Sequence, residues 1–310
     1  MRYIKLLASL VIIIATAYKS TAQSVAFLDI NPDPKTMGNG GISAVAPASA
    51  FSLWNNSSAT VLDDAKFQAG ASYTMWQPDM ADNKIFAVGA YGKITKFMAI
   101  TAGFKQFSYN SYEVTNETGT MGDPFTPKES SFGFGLAFKV MPKLSVSADV
   151  NMYNSKLGDD FKASGVAFNI GATYKCNNFT AALTAQNLGG EASYTDEASY
   201  KMPSSVKAGA SYGIAFGDGS SVVRPQAQIG FTITDDSSVF GALGAEYSFK
   251  ECVMARVAYH YGDETKYIPS HLSIGAGVSF FGVNLNAAYL IAGGDSAIKN
   301  SLSISLSYRY

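Results

Sequence analysis

The sequence predicts an all-β protein, a 14-stranded antiparallel transmembrane β-barrel preceded by an N-terminal plug segment. Apolar and polar residues alternate with a period of two in fourteen segments of the 310-residue chain. The connections between these segments alternate between long and short, as in a barrel with extracellular loops and periplasmic turns. Only 15% of residues are charged, whereas Tyr (18), Phe (20) and Gly (29) are plentiful. This composition also fits a soluble β-sandwich. The alternation of long and short connections favours the transmembrane barrel over the sandwich.

The N-terminus reads as a secretory signal peptide that spans residues 1–22. Arg2 and Lys5 precede an apolar run, and the small residues Ser20-Thr21-Ala22 follow it. A single membrane anchor is the alternative, but the run is shorter than the roughly 20 residues that a spanning helix needs. Cleavage after Ala22 leaves Gln23 first, so no lipid-anchored cysteine is expected.

The last ten residues, SLSISLSYRY, show the strand period most clearly. Leu306, Tyr308 and Tyr310 fall on one face, and serines fall on the other. Backbone polar groups must be paired in lipid, so this strand is expected to close the sheet against the first one. Its aromatic end resembles the signal that the bacterial outer-membrane assembly machinery recognises. The fourteen predicted strands begin near Ala65, Lys84, Phe97, Ser131, Leu144, Gly165, Phe179, Ser205, Val222, Val239, Cys252, His271, Val283 and Ser301.

The long connections all fall at one predicted end of the barrel, the extracellular one. They include 110–129 and 189–204, and only the connection DDSS is short in this set. The other set is short throughout, for example MPK, CNN and FG. Aromatic residues in the long loops are candidates for contacts with a partner: Tyr109, Tyr112, Phe125, Tyr194 and Tyr200.

The predicted inner face is mostly Gly, Ser, Ala, Asn and Thr. Fourteen strands leave a lumen that wall side chains do not fill, since about eight strands already suffice for a packed interior. Residues 23–64 are therefore predicted to fold into the lumen as a plug, with the barrel over 65–310; a loose linker is the alternative. Charges predicted to face inward are sparse: Lys139, Asp149, Lys175, Lys207, Glu246 and Arg256.

Residues 35–59 resemble the start of the FadL-like fourteen-stranded barrels, most closely the PorV/PorQ group of Bacteroidetes. A basic residue, Met-Gly, a small-residue patch and an aromatic-Asn pair follow one another, and Asn56-Ser57 stand where that family usually has Pro-Ala. The plug motif comprises Lys35, Met37, Gly38, Gly40, Gly41, Trp54 and Asn55.

This resemblance implies a non-enzymatic, integral outer-membrane protein. A PorV/PorQ-type member would act as an adaptor or attachment component in type IX protein secretion, with secreted cargo or translocon proteins as partners. The alternative is a FadL-like channel for hydrophobic molecules, with an apolar ligand inside the barrel and a break in the wall, such as at the Gly-rich stretch 89–92. A purely structural barrel is the third hypothesis. In every case the other partners are outer-membrane lipid and the assembly machinery.

The residue pattern predicts neither catalysis nor a cofactor. His260 and His271 form the one histidine pair, and pore-lining or loop-edge polar residues explain them better than a catalytic set. No His, Cys and Asp spacing indicates a metal site, and a net charge of −1 gives no reason to expect a nucleic-acid partner. Cys176 and Cys252 fall in or beside turns several strands apart, so both are expected to be free thiols.

Overall fold

The computed structural model describes residues 25–113, 123–195, 199–234, 237–263 and 268–310. The predicted signal peptide and part of the longest loop lie outside these ranges. Within them the chain forms a closed antiparallel barrel, and no helix there is long and apolar enough to cross a membrane. The strands are β1 Phe67–Trp76, β2 Asn83–Lys93, β3 Met98–Ser108, β4 Lys128–Met141, β5 Leu144–Lys156, β6 Lys162–Cys176, β7 Phe179–Leu188, β8 Glu191–Ser193, β9 Ser199–Lys201, β10 Ser204–Tyr212, β11 Ile214–Phe216, β12 Ser221–Ile233, β13 Val239–Phe249, β14 Val253–Tyr261, β15 His271–Phe280, β16 Val283–Ile291 and β17 Leu302–Arg309.

Fourteen of these strands form the barrel wall, which confirms the predicted strand number. Each wall strand pairs with its neighbour in sequence, and β17 pairs with β1 from Gln68↔Arg309 to Met75↔Leu302 to close the cylinder. Of the other three strands, β11 is a short extension that pairs with β12. The remaining two, β8 and β9, form a separate hairpin within the predicted loop 189–204.

The two faces of the wall differ as the period of two predicts. The three serines of β17 are buried, as is Ser301 just before it, whereas Ile304, Leu306 and Tyr308 are exposed on the outside. Large exposed apolar side chains occur in this way on nearly every wall strand. Such a band would be unfavourable in water and fits the hydrocarbon of a bilayer, as a transmembrane barrel requires.

The N-terminal segment, residues 25–64, contains little regular structure. It includes a 3-10 turn at Ala26–Leu28, a four-residue helix at Pro34–Met37 and a 3-10 helix at Ser57–Leu62. Asp33 begins the helix as its N-cap, where its side chain accepts from the Lys35 backbone N–H, and Pro34 occupies the first helical position. Asn56 caps the second 3-10 helix through Ser58. These caps satisfy backbone N–H groups at the starts of the short helices, and turn hydrogen bonds such as Gly41 N–H to the Thr36 carbonyl at 2.9 Å hold the path between them.

Candidate functional site

The upper part of the N-terminal segment is fixed to the wall by one lysine. Lys105 of β3 is fully buried, and its ammonium donates to the backbone carbonyls of Phe27, Leu28 and Ile30 at 2.8, 3.2 and 2.8 Å. The nearby Glu129 of β4 accepts from the Tyr109 hydroxyl at 2.6 Å. Both charges face inward and were missed in the sequence analysis, although counting alternate residues from the outward Phe104 would have found Lys105.

The glycines of the plug motif lie where the segment touches the wall. Gly38 packs on Gly275, and a Cβ on Gly38 would stand 3.0 Å from the Gly275 Cα. Gly40 has φ +66, its N–H donates to the Ser273 hydroxyl at 2.8 Å, and its carbonyl lies 2.9 Å from His260 Nδ1. Gly41 also has positive φ. These positions need glycine for close approach and for a left-handed backbone.

The Trp54 indole packs against the wall at two glycines, where no side chain blocks it. A Cβ on Gly103 of β3 would stand 2.5 Å from the ring, and a Cβ on Gly89 of β2 would stand 3.0 Å from it. Asn55, the next motif residue, is fully buried: its Oδ1 accepts from Asn31 at 2.6 Å and from Thr36 at 2.8 Å. The aromatic-Asn pair therefore joins the segment to the wall and to itself.

A polar network centred on Asp33 holds the turns of the segment together. The Asp33 carboxylate accepts from Lys35 N at 3.0 Å, Ser49 Oγ at 3.0 Å and Asn55 Nδ2 at 2.8 Å. Burial lowers the pKa of the Lys35 ammonium, and the Asp33 carboxylate acts in the opposite direction.

The lower end of the segment is fixed at the end of the barrel with short turns. Asp63 bonds to the Arg309 guanidinium at 3.1 Å and to the Tyr91 hydroxyl, and its backbone carbonyl accepts from the Lys93 ammonium. The segment therefore runs from the end with long loops, where Lys105 holds it, to the opposite rim.

Between the segment and the long loops lies a cavity of about 110 Å³, which we call the upper cavity. Its wall is mainly apolar, and His260, His271 and Lys207 add polar groups. Lys207 is held by the Gln186 side chain at 2.8 Å and by Asp29 at 3.5 Å. The apolar lining residues are Ile30, Met37, Trp76, Phe240, Ile268 and Leu290.

On the other side of the segment lies a larger, charged space of about 290 Å³, which we call the lower vestibule. Glu246 there accepts from Arg256 at 2.6 Å and from Arg224 at 2.8 Å. Met37 and Gly40 line the upper cavity, whereas Thr36 and Asn39 line the lower vestibule. The stretch from the short helix to the glycine turn therefore separates the two spaces.

The wall has no break at 89–92, so that expectation is wrong. β2 pairs without interruption with β1 and with β3, and Gly89 serves instead as a seat for Trp54 and the Ala50 carbonyl. The wall is irregular elsewhere, between β6 and β7, where the register shifts between Phe168 and Ile170. Asn187 has φ +53 there, and its N–H donates to Asn169 Oδ1 at 2.8 Å. Adding a residue to one strand is how a β-bulge bends a wall.

The predicted loop aromatics are placed unequally. Tyr194 is buried, stacks on Phe161 with ring centroids 4.6 Å apart, and bonds to Ser155. Tyr109 and Tyr200 are partly buried against the same apolar cluster. Tyr112, 46% exposed, packs on Phe125 with ring centroids 5.6 Å apart. Three of the five therefore pack within the protein.

The C-terminal strand ends at the rim of the wall. The Tyr310 carbonyl accepts from the backbone of Lys66 and Phe67 at 2.7 and 3.0 Å, and its N–H donates to Phe67. Its ring is 68% exposed, and Leu306 and Tyr308 are exposed on the same face. Cys176 and Cys252 are free thiols, as predicted. No group of three or more metal-ligating side chains occurs among the described residues.

No protein-family model matches the chain, and no curated protein is similar enough to show a family. Solved structures do match it along most of its length. The Ralstonia pickettii toluene transporter TbuX has a TM-score of 0.62 at 14% identity, covering 89% of this chain and 98% of its own. The Pseudomonas putida toluene transporter TodX has a TM-score of 0.62 at 13% identity, and the match covers 88% of this chain and 96% of TodX. A Pseudomonas aeruginosa FadL homologue has 0.52 at 12% identity, with 89% and 98% covered.

These likenesses show the fold: a 14-stranded outer-membrane-type barrel whose structural neighbours include FadL-type proteins. The protein is an integral outer-membrane protein, and the apolar band on the outside of its wall agrees with this location.

Proposed function

We propose that the protein is a non-enzymatic outer-membrane channel that takes up small hydrophobic molecules. The upper cavity carries this proposal, because a largely apolar pocket at the loop end of a transmembrane barrel suits an apolar ligand arriving from outside. The structural neighbours that are described as toluene transporters support the same class of ligand.

In this proposal residues 25–64 act as a plug that closes the direct route through the lumen. The charged lower vestibule gives an apolar ligand no favourable contacts beyond the plug. The irregular β6–β7 pairing lies beside a small space lined by Asn169, Gln186 and Asn187, and we propose this part of the wall as the exit.

The adaptor role in type IX secretion is less well supported. No structural neighbour described above is a secretion component, and the likeness to the PorV/PorQ group rests on the short motif alone. The packing of Tyr194 within the protein also removes one candidate contact. We therefore favour the channel.

The next two proposals apply to both the channel and the adaptor role. We propose that the outer apolar band contacts outer-membrane lipid, and that the assembly machinery recognises the C-terminal strand through Leu306, Tyr308 and Tyr310. The predicted signal peptide would direct export of the chain, the step that precedes this recognition.

The test is uptake of radiolabelled toluene by a strain that carries the protein as its single hydrocarbon channel. Thr232→Trp fills the upper cavity and should reduce uptake about ten-fold, whereas Thr95→Trp, in the exposed β2–β3 turn, should leave it unchanged. Both variants must first show the heat-dependent electrophoretic shift of a folded barrel. Equal uptake by the wild type and an empty strain would refute the proposal.

A further inference from the structure

Three stacked rings line one side of the upper cavity. Phe240 of β13 stacks on His260 of β14 with ring centroids 6.0 Å apart and planes at 23°; His260 stacks on His271 of β15 at 4.9 Å and 19°. The two histidines are opposite one another in the β14–β15 register. Phe240 lies over Gly230, where a Cβ would stand 2.2 Å from the ring. The stack is thus built into the wall.

The hydrogen bonds of the two imidazoles fix which nitrogen carries the proton. His260 Nδ1 lies 2.9 Å from the Gly40 carbonyl, and His271 Nδ1 lies 2.8 Å from the Pro269 carbonyl. A carbonyl oxygen only accepts, so each Nδ1 donates, and in a neutral imidazole Nε2 is then an acceptor. Within the described part of the chain neither Nε2 has a hydrogen-bond donor.

We propose that the upper cavity selects small aromatic molecules that carry a hydroxyl group, of the phenol class, over aromatic hydrocarbons. This inference rests on the proposed channel function. At about 110 Å³ the upper cavity has room for at most one ring, since an enclosed cavity of about 150 Å³ binds benzene. The ligand ring packs on the apolar lining beside the stack, and its hydroxyl donates to the Nε2 of His271. A hydrocarbon shields this acceptor from water and leaves it without a donor, and this penalty is the source of the discrimination.

The experiment measures binding of phenol and toluene to the full-length protein, purified in detergent with EDTA at pH 8, by isothermal titration calorimetry. At pH 8 both imidazoles are neutral, because their ordinary pKa is about 6.5. Phenol and toluene have the same number of heavy atoms, so they differ by a hydroxyl in place of a methyl group. The variant His271→Phe keeps a ring in the stack and removes one acceptor. Phe240→Leu is the matched control, since it removes a ring and no acceptor.

The expected result is that His271→Phe lowers the preference for phenol over toluene roughly five-fold, the factor for one ordinary hydrogen bond. Phe240→Leu should weaken the binding of both compounds and leave their ratio unchanged. A ratio that stays within two-fold of wild type in His271→Phe, with toluene still bound, overturns the phenol proposal and leaves the channel standing. Wild-type protein that binds neither compound overturns both.

Discussion

Lys105→Met should release the upper end of the N-terminal segment from the wall. Methionine keeps the length of the side chain but cannot donate to the three carbonyls. A hydrogen bond to a charged group contributes about 1.5–3 kcal/mol. The variant also avoids the cost of burying an ammonium, and the released carbonyls can bind water. We therefore expect the free energy of local opening of the segment to fall by about 3 kcal/mol, the contribution of one to two of the three bonds.

Hydrogen exchange followed by mass spectrometry measures this release directly. A loss of about 3 kcal/mol corresponds to roughly hundred-fold faster exchange by local opening, since each 1.4 kcal/mol is a factor of ten. We expect this acceleration at the amides of residues 27–45, with the exchange of β15 and β16 unchanged. Lys139→Met is the control, because Lys139 also faces inward but lies near the opposite end of β4.

Exchange at residues 27–45 within three-fold of wild type would refute the reasoning. It would mean that Gly40 and the Asp33 network hold the segment without Lys105. Faster exchange throughout the barrel would also refute it, since the lysine would then stabilise the wall rather than the N-terminal segment.

Two further predictions concern packing and assembly. Gly103→Val should displace the Trp54 ring and lower the melting temperature, because even a Cβ at this position would stand 2.5 Å from the ring. Adding Trp54→Ala should restore the melting temperature. The control Gly190→Val, where a Cβ meets no atom within 4 Å, should leave the melting temperature unchanged. Tyr310→Ser should lower the amount of folded protein in the outer membrane several-fold, as measured by the heat-dependent electrophoretic shift. The reason is that it removes an exposed aromatic side chain at the rim, next to the pairing of β17 with β1. Tyr259→Ser, on the outer face of β14, should leave assembly unchanged.

The barrel was predictable because its signal is local. A period of two fixes which face each residue takes, and the serines of β17 show this directly. The first residues of the wall strands were predicted to within three positions, since turns and loops interrupt the pattern. The hairpin β8–β9 escaped notice because three-residue strands carry too little alternation to recognise.

The interior was harder to predict, because its contacts join residues far apart in the chain. The motif glycines were recognisable in sequence, but their partners, such as Gly275 and Ser273, were not. The supposed break at Gly89 illustrates the limit: a small residue in a strand can mark a gap or a seat, and only the residue that occupies the space decides between them.

The fit between the N-terminal segment and the wall bears on how the proposed channel would work. Gly89, Gly103 and Gly275 lie on three strands, and each lacks a side chain where the segment presses against the wall. A permanently open pore would need no such close contacts, whereas the proposed plug role does. The wall contacts fix the segment from Lys105 to Asp63. In the proposed channel a ligand would enter the upper cavity without moving the segment, but would reach the periplasm only if the segment shifts or the wall opens. The affinity of the cavity and the rate of passage should therefore respond to different residues.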